Sequence, residues 1–201
     1  SSWYLANLDN LEVVKLLSQV IMDLAEGEIQ QGLNAFETDF SIEAYLEKSY
    51  YKTASLLANS AKAAGKLSEV STATCEKLHL YGRNLGLAFQ IVDDILDFIA
   101  SAEVLGKPAG SDLASGNLTA PTLYALKEHP HLIELIATEF EDAADLEKAL
   151  SLVHGSEGIA KSRALAHHHA QLAVAQLTDL PDSTSLQALV EMADYVLKRL
   201  Y

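Results

Sequence analysis

Apolar residues recur along most of this chain at steps of three and four, the spacing that lines one face of a helix. Leu11, Val14, Leu17, Val20, Ile21 and Leu24 keep that rhythm after Asp9 and Asn10, and Gly32 offers a stop. A helix is therefore predicted from residue 9 or 10 to residue 32, with Asn10 as N-cap. A second fits residues 41–64, opened by Asp39 or Ser41 and closed by Gly65, and a third spans 68–101. The rhythm breaks over 102–121, where Gly106, Pro108, Gly110, Gly116 and Pro121 mark a loop. Shorter helices are predicted over 122–127, 131–140 and 143–153, a longer one over 157–177, and a last one over 183–200 after Pro181. Alternation of period two bounded by hairpin turns occurs nowhere, and there is no internal repeat. The expected fold class is all-α, in a single domain covering residues 1–201.

Composition supports helices, since 49% of the residues are apolar and only four are Pro and ten Gly. The formal net charge of -14 argues against nucleic acid or an anionic membrane surface as the main partner, because both demand a basic face. An anionic substrate would need divalent cations, or a few placed Lys and Arg, to reverse the local sign. Cys75 stands alone, which suits a reducing compartment. No apolar run approaches the length that crosses a bilayer, and no signal peptide is visible. The chain opens with Ser1, Ser2 and Trp3 in what reads as the tail of a helix, so further sequence upstream is expected.

The third helix is nearly all apolar from Leu85 to Ile99, as befits a helix at the centre of a bundle. Gln90, Asp93, Asp94 and Asp97 are the exceptions. They sit at i, i+3, i+4 and i+7 and so share one face, which Gly86 and Arg83 extend backward. Three carboxylates within two turns of a buried helix repel one another and lose hydration. A solvated acidic face would explain a DDxxD on most helices, but Phe89, Ile91, Val92, Ile95, Leu96, Phe98 and Ile99 surround this one. Bound magnesium would reconcile the charges with the setting, because it takes oxygen ligands and keeps waters that phosphate oxygens replace. Lys107, between Gly106 and Pro108 in the following loop, is placed to reach a diphosphate held there; alone it would read as a solvent-exposed lysine. Lys52 and Thr53, beside Tyr50 and Tyr51, add a third and weaker signal whose plain alternative is a surface lysine. His167, His168 and His169 are consecutive, so they point around a helix and not toward one centre. Glu26 and Glu28 read as a solvated or dimer-facing pair, and Trp3 as a core or tunnel-lining residue.

Phe89-Gln90 followed by Asp93-Asp94-x-x-Asp97, then Gly106-Lys107-Pro108-Ala109-Gly110-Ser111-Asp112-Leu113, resembles the trans-prenyltransferase family of polyprenyl diphosphate synthases. Gly27-Glu28-Ile29-Gln30-Gln31, Tyr51-Lys52-Thr53-Ala54 and the last helix resemble further family segments, so the likeness covers essentially the whole chain. The opening residues and the 112–121 segment look most like solanesyl diphosphate synthases of cyanobacteria and plastids. The resemblance implies an isoprenoid synthase-type helical bundle, without its N-terminal helices. It implies a magnesium-dependent transfer in which an allylic diphosphate ionises and isopentenyl diphosphate, the homoallylic partner, attacks the cation. Asp93, Asp94 and Asp97 would hold magnesium, with Asp93 and Asp97 as the direct ligands. Lys52, Gln90 and Lys107 would bind substrate, and Lys52, Thr53 and Gln90 would serve the reacting centre. A homodimer is implied, in a cyanobacterial-type cytoplasm or a plastid, touching membranes only through its product. Two features depart from the family. A first aspartate-rich motif and the basic residues near it are absent from these residues, and Asn117 stands where a Lys is frequent. Little or no synthase activity is therefore expected from these residues alone. A non-catalytic partner subunit of a synthase and a class I terpene cyclase are the competing readings.

Overall fold

Helix starts in this chain are set by side chains. Asn10, Ser41, Ser71, Asp142 and Ser183 each accept a backbone N–H from the first turn that follows them. Each such cap stabilises a helix end by about 1 kcal/mol. In the computed structural model, which describes residues 2–100 and 109–200, every regular element is helical. In chain order the α-helices are α1 (Ser2–Ala6), α2 (Leu11–Leu33), α3 (Ile42–Ser49), α4 (Ser55–Leu67) and α5 (Thr72–Ile99). They continue with α6 (Ser111–Ala114), α7 (Ala120–Glu128), α8 (His131–Ala137), α9 (Ala143–Gly155), α10 (Gly158–Ala175) and α11 (Thr184–Lys198). The all-α expectation holds among the described residues.

The predicted 41–64 helix is three pieces. A π-helical turn, Tyr50–Ala54, joins α3 to α4, and the Ser55 N–H bonds to the Tyr50 carbonyl. Gly65 does not end this rod, which runs to Leu67; its missing Cβ instead makes room for Leu78, 2.9 Å from where that atom would sit. The helix expected over 131–140 stops at Ala137, because Glu139 and Phe140 take left-handed backbone, with φ of 52° and 55°. Pro121 opens α7 and does not mark loop, for a first-turn residue needs no N–H donor. Trp3 is 71% exposed and lies outside the core, on a short helix that packs against α2.

α5 is the central element, packed most heavily against α4 and α10 and touching α3, α7 and α11. Leu87, Ile91 and Ile95 repeat at four-residue steps along it and are fully buried. Each contributes about 1.5–3 kcal/mol of apolar burial. The contact with α4 is unusually close. A Cβ on Gly82 would lie 2.4 Å from the Leu57 carbonyl oxygen, and one on Gly86 would lie 2.5 Å from the Ala54 Cα. Gly82 lets α4, and Gly86 the π turn, settle onto α5, with Thr53 beside Gln90.

Candidate active site

The acidic face of α5 meets the α3–π-turn rod and the α6–α7 connection around one cavity of about 170 Å³. Its lining includes Asp93, Asp94 and Gln90 from α5, with Tyr45, Lys48 and Lys52 from the rod. Gln31 of α2 and Asp112, Asn117 and Thr119 close it.

A chain of hydrogen bonds fixes Asp94. Thr53 Oγ1 donates to Gln90 Oε1 at 2.5 Å, and Gln90 Nε2 donates to Asp94 Oδ1 at 2.8 Å. Tyr45 donates its hydroxyl to the other oxygen, Oδ2, at 2.5 Å. The Asp94 carboxyl is nonetheless pushed up to about 7, because loss of hydration outweighs those donors. Tyr45 moves well upward, through its own burial first and the Asp94 charge second.

The other two aspartates differ in setting. Asp93 reaches solvent, and Arg199 Nη2 donates to its Oδ1 at 3.2 Å while the guanidinium stacks 4.6 Å above Phe89. Asp97 is 1% exposed and accepts the Ser111 hydroxyl at 2.8 Å and the Asp112 N–H at 3.1 Å. It thereby ties α6 to the end of α5, and it does not line the cavity.

The lysines also divide. Lys52 Nζ donates to Gln31 Oε1 at 2.6 Å and pairs with Glu28 at 3.0 Å, which gives the supposedly solvated Glu28 a definite partner. Lys48 is buried, donates to Asn117 Oδ1 at 2.6 Å and is pushed below the usual lysine range by desolvation. Lys107 lies outside the described residues. His169 turns inward to meet Asn84 Oδ1 at 2.9 Å, remote from the cavity lining.

The structure therefore brings Lys52, Thr53, Gln90, Asp93 and Asp94 together and sets Asp97 behind them. Sequence reasoning passed over Tyr45, Lys48 and Arg199. Tyr45, Lys48 and Lys52 do recur at three and four residue steps, a helical stripe that could have flagged them. The partners of Tyr45 and Lys48 lie 49 and 69 residues away, beyond any local pattern.

The donors around the cavity are carboxylate and amide oxygens, suited to a hard cation. Among the described residues no three His, Cys, Asp or Glu converge into a metal cage. Magnesium does not need one, since it is held by one or two carboxylates together with waters and phosphate oxygens. The unrelieved burial of Asp94 is what a nearby cation would offset, so the residues present fit this metal.

A family model described as polyprenyl synthetase matches residues 1–153. A prenyl transferase of Synechocystis sp. is 62% identical over 201 residues, the whole of this chain and 62% of that protein. The chloroplastic solanesyl-diphosphate synthase 2 of Oryza sativa is 54% identical over 200 residues, which are 50% of its length. The chain thus spans between half and two thirds of these relatives. Among solved structures, the apo form of an Arabidopsis medium/long-chain length prenyl pyrophosphate synthase superposes with a TM-score of 0.90 at 39% identity, covering 100% of this chain and 69% of that one. A Caulobacter crescentus polyprenyl synthase complexed with calcium and isoprenyl diphosphate gives 0.89 at 33% identity, covering 98% of this chain and 61% of that one.

Proposed function

The chain belongs to the polyprenyl synthetase family, and we propose that its cleft binds the diphosphate of an allylic isoprenoid together with magnesium. The protein would serve a trans-prenyltransferase that adds isopentenyl diphosphate to build a long-chain product such as solanesyl diphosphate. The observation that carries this reading is one small cavity with carboxylates on α5 facing ammonium groups on the α3 rod. Solved relatives support it, one of them bound to a divalent cation and an isoprenyl diphosphate.

Asp93 and Asp94 would hold magnesium, and Asp112, across the cavity, adds a third carboxylate to the same space. Bound magnesium would supply Lewis-acid stabilisation of the departing diphosphate. The chain's own residues prepare that geometry. Thr53 fixes Gln90, and Gln90 with Tyr45 fixes the plane of the Asp94 carboxylate. Asp97 anchors α6 and so places Asp112. Lys52, and Lys107 by resemblance, would contact the diphosphate. No side-chain nucleophile is required. The cyanobacterial and chloroplastic relatives support the compartment we infer, a cyanobacterial-type cytoplasm or a plastid. A homodimer that meets membranes through its product is inferred from the family resemblance alone.

Calorimetric titration of the chain with farnesyl diphosphate, with and without magnesium, tests the reading. Binding should depend on magnesium, and Asp93→Asn should weaken it by at least about tenfold. Equal affinity in EDTA would discard the proposed site.

A further inference from the structure

Lys48 is set apart from the other cavity lysine by what neutralises it. Lys52 already pairs with Glu28 and donates to Gln31. Lys48 is 6% exposed, yet its ammonium meets only the neutral oxygen of Asn117 and the faces of Phe40 and Tyr45, 5.2 and 5.9 Å from the ring centroids. An ammonium has three donors, and one is used here. Ring faces attract a cation weakly, and the Asp94 and Asp112 carboxylates act on this one through their charge without a direct ion pair. Burying a lysine in this way is costly unless an anion completes the arrangement.

A second group in the same cavity also lacks a partner. Thr119 is 2% exposed, lines the cavity, and its Oγ1 makes no hydrogen bond. The hydroxyl and the ammonium come from opposite walls, α3 and the residue before α7. Asn117 links those walls by accepting from Lys48. A lysine at position 117 would set two ammonium groups against each other; an amide oxygen holds Lys48 in place.

We propose that Lys48 is a diphosphate-binding residue of this cleft, taking a phosphate oxygen together with the Thr119 hydroxyl. The assignment rests on the diphosphate reading of the cavity and deepens it. The cleft's cation without a direct carboxylate partner is then supplied from α3, and Asn117 acts as a positioning residue for it.

Calorimetric titration of the chain with magnesium and inorganic pyrophosphate tests the assignment. Lys48→Met should weaken binding about ten- to hundredfold through loss of a charge-assisted hydrogen bond. Thr119→Val should cost about three- to tenfold. Circular dichroism melting of each variant shows whether it folds. A measurement without substitution guards against a misfolded variant: the 15N resonance of the Lys48 side chain should shift as pyrophosphate saturates the wild-type chain. An unmoved resonance, or a folded Lys48→Met that binds within twofold of wild type, overturns the assignment. If Asp93→Asn still loses binding in that case, Lys48 alone is misassigned and the cavity stands. If the wild-type chain binds no pyrophosphate with magnesium, both fall together.

Discussion

Two buried carboxylates in this protein are held by the same pair of groups. Asp23 on α2 accepts the Ser55 hydroxyl and the Gln19 side-chain amide, the latter at 2.8 Å. Asp94 on α5 accepts the Tyr45 hydroxyl and the Gln90 side-chain amide, also at 2.8 Å. Both are less than a tenth exposed. Their surroundings separate them. Asp23 is stitched between α2 and α4, where Asn59 extends the network by donating to Ser55. Asp94 opens onto a cavity that also receives Asp93, Asp112 and Lys48. A buried, well-bonded carboxylate is thus no sign of chemistry in itself. Convergence with other charged groups on one cavity makes the difference.

The sharpest way to break this contrast is to neutralise each carboxylate in turn. Asp94→Asn should lower magnesium-dependent affinity for farnesyl diphosphate about hundredfold, while the melting temperature moves little. Asp23→Asn should do the reverse: a loss of about 1–3 kcal/mol in urea unfolding, with binding unchanged. If both variants lost binding equally, the two networks would not be separable. A smaller effect is expected where packing and site meet. Gly86→Val drives a side chain into Ala54, so overpacking should cost about 1–3 kcal/mol. Binding should weaken as well, because the displaced turn carries Lys52 and Thr53. The smallest effect concerns a third buried polar pair, far from the cavity. Burial holds the His169 imidazole down at about 4, with the charges of His168 and Arg83 acting the same way. The unfolded chain takes up a proton near pH 6.5 that the folded chain refuses until about 4. This contribution to stability is therefore whole above pH 6.5 and lost as pH falls toward 4. Urea midpoints at pH 7 and pH 5 should differ less in His169→Gln than in wild type, and binding at pH 7 should be equal.

The acidic stripe was legible because an apolar helix makes every polar residue conspicuous, and Gln90, Asp93 and Asp94 do share the cavity. What the stripe could not show was its division. Asp97 lies one turn beyond, where docking of α6 covers it through partners 14 and 15 residues away, beyond any local pattern. The rod from 42 to 67 was legible as helix, and its break was not, since Tyr50–Ala54 contains neither Gly nor Pro. Asn117 stood out against the family pattern as a lost charge. Its meaning emerged only when Lys48, 69 residues earlier, was found bonded to it.

The π turn has a consequence for how this family member tolerates change in length. One surplus residue advances a helix by about 100°, so the turn works as a phase offset between two halves of a single rod. The end of the turn and the α4 half are keyed to α5 through Ala54 and Ala58, while the α3 half reaches α5 through Tyr45 and Asp94. Removing one residue from 50–54 would leave a regular helix of unimpaired propensity, yet swing Tyr45 and Lys48 about a quarter turn away from the aspartates. Sequence length within those five positions is thus under a tighter geometric constraint than the identity of most residues that fill them.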